Sequence, residues 1–129
     1  MSHAPKGIGP TRLVVGAHYG TRDFLGQRIT ALFLAFYTVY FVIALLIAPS
    51  PIQYGDWVGI FNWSPLGFPF GKLLAFLAFF SIVYHAWIGI RDIWMDYVKP
   101  DGIRLTLQVL TIIWLLGSLA WAAQILWKI

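Results

Sequence analysis

A histidine, two aspartates and a tyrosine fall within one short stretch of the sequence, from residue 85 to residue 97. His85 lies in an apolar run that contains no Lys, Arg or Asp between residues 73 and 90. An ionisable side chain in such a run is costly to place inside a membrane, so it marks a candidate functional site. Asp92, Asp96 and Tyr97 follow it and extend the polar stretch.

The position of His85 supports two interpretations. Its imidazole could hydrogen-bond to a neighbouring helix, which would add packing energy on the order of 1 kcal/mol. A neutral imidazole is also a good ligand for haem iron, and a pair of apolar helices offers a porphyrin a dry pocket. Composition does not decide between them. No other histidine lies inside an apolar run, so a second imidazole ligand would have to come from another protein chain.

Asp96 and Tyr97 end this stretch, just before Lys99 and Pro100. If the helix continues at about 100° per residue, Asp96 lies within about 20° of the His85 face and roughly 16 Å further along; Tyr97 lies about 120° away. A quinone needs hydrogen-bond donors and protons, and a tyrosine beside a carboxylate near the membrane surface supplies both. The alternative is an ordinary helix end, with a solvated aspartate and an aromatic anchor in the headgroup region.

Arg28 is a further candidate, because it opens the first long apolar stretch of the chain. Its guanidinium could pair bidentately with a haem propionate. As a basic residue beside a membrane span, it could equally extend its side chain toward a lipid phosphate. Both interpretations require Arg28 to lie near the membrane surface.

Three uncharged stretches must position these residues. Lys, Arg and Asp are absent from residues 29–55, 73–90 and 105–127, and the chain contains no Glu. Crossing a hydrocarbon core of roughly 30 Å takes about 20 helical residues, and Pro49 and Pro51 should end the first helix. The sequence therefore predicts an all-α membrane protein, one domain over residues 1–129. Its three transmembrane helices are expected at about residues 28–48, 71–94 and 104–127, with a short interfacial helix near 57–63.

The basic residues are distributed unequally on the two sides of these spans. The formal net charge is +4, but a positive-inside pattern explains it better than a nucleic-acid surface does. On this basis we expect a cytoplasmic amino terminus, a periplasmic carboxyl terminus and no bound nucleic acid. The residues on the cytoplasmic side are Lys6, Arg12, Arg22, Arg28, Arg91, Lys99 and Arg104, and those on the other side are Lys72 and Lys128.

The absence of cysteine limits the redox chemistry of the chain. It excludes cysteine-ligated iron–sulfur clusters, thioether-linked haem and disulfides within this chain. No continuous apolar segment precedes the first span, so we expect no cleavable signal peptide. Three spans with short loops leave little room for an active site outside the membrane. We therefore expect the chain to pack against another membrane protein.

Several motifs resemble one known family, the hydrophobic membrane anchors of bacterial succinate dehydrogenase, respiratory complex II. The motifs of the second span and the following loop are His85-Ala-Trp-Ile-Gly89, Asp96-Tyr97-Val-Lys99-Pro100 and Arg104-Leu105. Those around the start of the first span are Arg22-Asp23-Phe24, Arg28 and Thr30-Ala31. With the three-span layout, the resemblance covers nearly the whole chain.

The resemblance implies an inner-membrane heterotetramer in which this chain is not a catalyst by itself. A flavoprotein would oxidise succinate, and an iron–sulfur protein would pass the electrons to ubiquinone. This chain and a sibling cytochrome b anchor would hold haem b between them. Carried over residue by residue, His85 matches the axial ligand of the haem iron, Tyr97 and Asp96 match quinone-binding residues, and Arg28 matches an arginine near the haem propionates. Further trimerisation of the heterotetramer stays open.

Two alternatives remain at this stage. One is a fumarate reductase anchor that uses menaquinone, and the other is a structural membrane protein without haem. The segment between Gly89 and Asp96 is also more charged than is usual for the family. Arg91 and Asp92 could pair with each other, with the iron–sulfur protein or with a propionate.

Overall fold

The structure, a computed structural model, describes residues 17–129, with side chains described from residue 20 onward. It contains three long helices and one short helix, and no strand occurs in this part of the chain. The long helices are all long and apolar enough to cross a membrane. The all-α class and the three spans are therefore confirmed. The helices are α1 (Ala17–Ile47), α2 (Tyr54–Phe61), α3 (Phe70–Tyr97) and α4 (Asp101–Lys128), with a 3-10 turn at Pro65–Gly67.

The helices extend further than the uncharged stretches predict. α1 begins at Ala17, well before residue 28; α3 continues to Tyr97 and α4 begins at Asp101. The absence of charge marks the hydrocarbon-spanning part of a helix, whereas the backbone hydrogen bonds can continue into the headgroup region. The breaks fall where prolines occur, with α1 ending before Pro49 and α4 beginning after Pro100. Lys6, Arg12 and residues 1–16 of the amino-terminal stretch considered for a signal peptide lie outside the described residues.

α3 is the central helix of the described molecule, and both α1 and α4 pack against it. Its buried face carries small residues, Ala75, Ala78 and Ser81, followed by Ile88. Small side chains let helix backbones approach closely, which is the usual way that apolar helices associate in a membrane. These small residues therefore allow close packing against α3.

The short helix α2 lies over the ends of α1 and α3, on the side opposite the loop between α3 and α4. Tyr40 on α1 donates a hydrogen bond to the Ile60 carbonyl oxygen (2.9 Å) and accepts one from Trp63 Nε1 (2.9 Å). The backbone N–H of Gly71 donates to the Trp63 carbonyl oxygen (3.0 Å). The sequence predicts a short helix near residues 57–63; the structure has one at Tyr54–Phe61, and these bonds hold it against two spans.

The outer faces of α1 and α4 remain apolar and uncovered. None of the most apolar 18-residue window of α1 is buried, and only 6% of the corresponding window of α4 is. A soluble protein would not leave surfaces of this size exposed. These faces therefore contact lipid or other membrane proteins.

Candidate functional site

The interface between α1 and α3 brings together residues from both ends of the predicted site. Because α1 and α3 run antiparallel, residues earlier in α1 face residues later in α3. Accordingly, Thr30 contacts His85 and Asp23 pairs with Arg91, while the Tyr84 ring, beside His85, reaches Gly26 on α1. Polar and close-packed contacts therefore alternate along one seam of the helix pair.

His85 is half-buried, and one nitrogen of its imidazole contacts α1. Thr30 Oγ1 lies 3.2 Å from His85 Nδ1. The same hydroxyl lies 2.7 Å from the Gly26 carbonyl oxygen and 3.1 Å from that of Gln27. Among the described residues, the other ring nitrogen, Nε2, has no hydrogen-bond partner. An imidazole held at Nδ1 and unpartnered at Nε2 could bind haem iron through Nε2.

Close approach of the two helices beside His85 depends on Gly26. A Cβ atom at this position would lie 2.5 Å from Tyr84 Cε1 and 2.7 Å from Tyr84 Oη. The Tyr84 ring therefore occupies the space that a side chain on α1 would otherwise fill. This contact sets how closely α3 approaches α1 at Gly26, one turn of α1 from Thr30.

Arg91 forms an ion-pair network at the next level. Its Nη2 lies 2.5 Å from Asp23 Oδ2 on α1 and 3.1 Å from Asp92 Oδ1. Its Nε is buried without a hydrogen-bond partner among the described residues. Of the pairings that the sequence left open, Arg91 with Asp92 is present. The sequence did not predict the pairing of Arg91 with Asp23. Asp23 precedes the first uncharged stretch and Arg91 follows the second, so both residues lie at the same end of the predicted spans.

Asp96 and Tyr97 occupy the last turn of α3, and both are exposed. The continuous helix places Asp96 about 16 Å along α3 from His85, as expected from the rise per residue. Tyr97 is 81% exposed. Within the described part of the chain, neither side chain makes a hydrogen bond, ion pair or ring contact. Their polar atoms are therefore available to a ligand or to another protein chain.

Arg28 lies on a different face of α1. Its guanidinium carbon is 4.8 Å from the centroid of the Phe24 ring, a cation–π contact on the exposed side of the helix. Arg28 and Thr30 are two positions apart on α1, so their side chains point about 160° apart around the helix axis. The structure therefore does not bring Arg28 to His85, and its assignment to a propionate stays a prediction.

The described residues contain no group of three side chains able to hold a metal ion. A haem ligand needs no such group, because the porphyrin itself supplies most of the nitrogen ligands of the iron. A cleft of about 650 Å³ opens at the other end of the molecule, between α1, α2 and α4. It is lined by Tyr37, Trp57 and Trp121, among others, and by none of the predicted site residues.

Comparison with known proteins places these features in a family context. The sequence-family model described as the succinate dehydrogenase/fumarate reductase transmembrane subunit matches residues 3–120 of this chain. A protein of Coxiella burnetii (strain RSA 493 / Nine Mile phase I), the succinate dehydrogenase hydrophobic membrane anchor subunit, is 42% identical over 108 residues. That match covers 84% of this chain and 89% of the relative. The similarity thus extends over the helices that carry His85, Asp96 and Tyr97.

Proposed function

The chain belongs to the succinate dehydrogenase/fumarate reductase transmembrane-subunit family, and from that premise we propose that it serves a succinate:ubiquinone oxidoreductase. It is a non-catalytic membrane anchor, a multi-pass protein of the bacterial inner membrane. In this proposal it attaches the flavoprotein and iron–sulfur subunits to the membrane. It also shares haem b with the sibling cytochrome b anchor and contributes to the site of ubiquinone reduction.

The observation that carries the haem assignment is the environment of His85. The residue lies within a membrane-spanning helix, with Nδ1 beside Thr30 and Nε2 unpartnered among the described residues. A histidine that served only to join two helices would be complete with the Thr30 contact. The free nitrogen favours a ligand supplied from outside this chain. When bound, haem b would accept and pass on single electrons.

The quinone assignment depends on Tyr97 and Asp96. Both are exposed at the end of α3 that leads into the loop beginning at Val98. The Tyr97 hydroxyl would donate a hydrogen bond to a carbonyl oxygen of ubiquinone, and the Asp96 carboxylate would relay protons from water. Since neither side chain has a partner within the described residues, the rest of the pocket would come from neighbouring subunits.

The proposed assembly is a heterotetramer embedded in lipid, with the amino terminus and the α3–α4 loop on the cytoplasmic side. The uncovered apolar faces of α1 and α4 support a membrane partner. Seven of the nine basic residues lie on one side of the predicted spans, and the positive-inside rule assigns that side to the cytoplasm. Arg28, on the exposed face of α1, would reach a propionate only if the haem edge extends to that face.

Substitution of His85 by leucine tests the proposed function. In the purified complex, His85→Leu should remove or strongly diminish the b-type haem bands of the reduced-minus-oxidised spectrum, because an axial ligand is lost. The flavin and iron–sulfur content per complex serves as the internal control for assembly. Unchanged haem bands in an intact His85→Leu complex would contradict the assignment and favour an anchor in which His85 only hydrogen-bonds.

The direction of the reaction needs a separate measurement, because the family includes fumarate reductases. The name of the Coxiella burnetii relative supports succinate oxidation. We expect the complex to reduce ubiquinone with succinate faster than it reduces fumarate with a reduced menaquinone analogue. The opposite ratio would identify a fumarate reductase anchor.

A further inference from the structure

Thr30 has one hydroxyl proton and three neighbours that could receive it. Its Oγ1 lies 2.7 Å from the Gly26 carbonyl oxygen, 3.1 Å from the Gln27 carbonyl oxygen and 3.2 Å from His85 Nδ1. The two carbonyl oxygens carry no proton and can only accept. His85 Nδ1 is the one neighbour that can either donate or accept, depending on the tautomer of the ring.

The distances indicate where the hydroxyl proton goes. Threonine side chains within helices commonly donate to the carbonyl oxygen four residues earlier, and the Gly26 contact is the shortest of the three. With its proton directed at Gly26, the Thr30 oxygen offers only lone pairs to His85. The 3.2 Å contact is then a hydrogen bond only if His85 Nδ1 carries the ring proton.

We propose that Thr30 is a positioning residue that holds His85 in the Nδ1–H tautomer and so directs the lone pair of Nε2 toward the haem iron. The inference rests on the proposed function, because it assigns no role to Thr30 unless His85 is a ligand. Thr30 touches neither haem nor quinone in this proposal. It acts only through the imidazole, as outer hydrogen-bond acceptors do at histidine–metal sites.

The hydrogen bond has a consequence for the electronic properties of the ligand. An acceptor at Nδ1–H increases the electron density of the imidazole and makes Nε2 a stronger base. A stronger base stabilises the oxidised form of the iron more than the reduced form, which lowers the midpoint potential. Loss of the Thr30 hydroxyl should therefore raise the midpoint potential of the haem.

The test is a redox titration of haem b in the intact complex. Thr30→Val keeps the shape of the side chain and removes the hydroxyl, so it should shift the midpoint potential upward. Thr30→Ser restores the hydroxyl and should return the potential to that of the wild type. Thr38→Val makes the same chemical change on α1 about 12 Å from Thr30, with no His85 contact, and should leave the potential unchanged.

The outcomes separate this inference from the proposed function. A Thr30→Val complex with wild-type haem content and wild-type potential would overturn the role of Thr30 but leave His85 as the ligand. Loss of haem from Thr30→Val but not Thr30→Ser, with flavin content intact, would support it. If Thr30→Val does not accumulate, Thr30→Ala replaces it. If neither the Thr30→Val nor the Thr30→Ala complex accumulates, the proposal is overturned, because Thr30 would then act through helix packing. A wild-type complex without b-type haem would overturn both proposals.

Discussion

At the scale of single residues, the contrast between His85 and Tyr97 separates two kinds of site. His85 is half-buried and already has one partner on α1. Tyr97 is exposed, without a partner in the described part of the chain. The first arrangement orients a ring before a ligand arrives, whereas the second leaves a hydroxyl to be oriented by the ligand or a neighbouring protein. A quinone, which enters and leaves at each turnover, is suited to the second.

Removal of the Tyr97 hydroxyl should affect quinone reduction alone. We expect Tyr97→Phe to lower succinate-dependent ubiquinone reduction roughly tenfold, since one hydrogen bond is worth about 1–1.5 kcal/mol. Succinate oxidation by an artificial electron acceptor should stay near the wild-type rate. The matched control is Tyr54→Phe, the same change at an exposed tyrosine of α2. Normal ubiquinone turnover in Tyr97→Phe would remove this residue from the mechanism.

At the scale of elements, glycines set the contacts between helices where backbones or rings approach closely. Gly26 gives space to Tyr84 beside the Thr30–His85 pair. Gly71 lies in the first turn of α3, where a Cβ atom would overlap the carbonyl oxygen of Phe61 and lie 2.7 Å from Trp63 Cδ1. A flexible ring can move aside more easily than a backbone carbonyl. The Gly71 contact is therefore the less tolerant of the two.

A side chain at residue 71 should destabilise the molecule. We expect Gly71→Ala to cost about 1–3 kcal/mol, the usual range for overpacking, because the Phe61 backbone must shift. Thermal unfolding of the purified complex should show a lower Tm. Gly117→Ala is the control, since a Cβ atom there meets nothing within 4 Å. Equal Tm values for the two variants would mean that α2 does not need its close contact with α3.

At the scale of the whole molecule, the uncovered faces of the spans are the dominant feature. α3 packs against both other long helices, yet most of the apolar surface of α1 and α4 stays exposed. Lipid satisfies such surfaces, but Asp96 and Tyr97 at the helix end also lack partners among the described residues. The chain thus presents apolar faces and polar groups that the other proteins of the complex can complete.

Purification through an affinity tag on this chain should recover the other proteins of the complex. We expect a flavoprotein with covalent FAD, a cysteine-rich iron–sulfur protein and a second membrane anchor, in equal amounts. The measurement is mass spectrometry of the detergent-purified complex with quantification of flavin and iron. A tag on an unrelated inner-membrane protein of similar size is the control. Recovery of the chain alone, from membranes that oxidise succinate, would contradict the proposed assembly.

The sequence by itself determined the class of protein, the number of spans and the stretch that contains the candidate site. Charge and hydropathy along the chain are enough for these, because the hydrocarbon core excludes ionised side chains and demands helices of sufficient length. Only the tertiary structure decided which side chains meet. Thr30 and His85 are 55 residues apart, and Asp23 and Arg91 are 68 apart.

The physical reason is that the spans are apolar on all sides, so periodicity does not reveal which face of one helix meets another. Their rotation is set by close contacts such as that between Gly26 and Tyr84. In the resulting orientation of α1, Thr30 faces His85 and Arg28 lies on the opposite side of the helix.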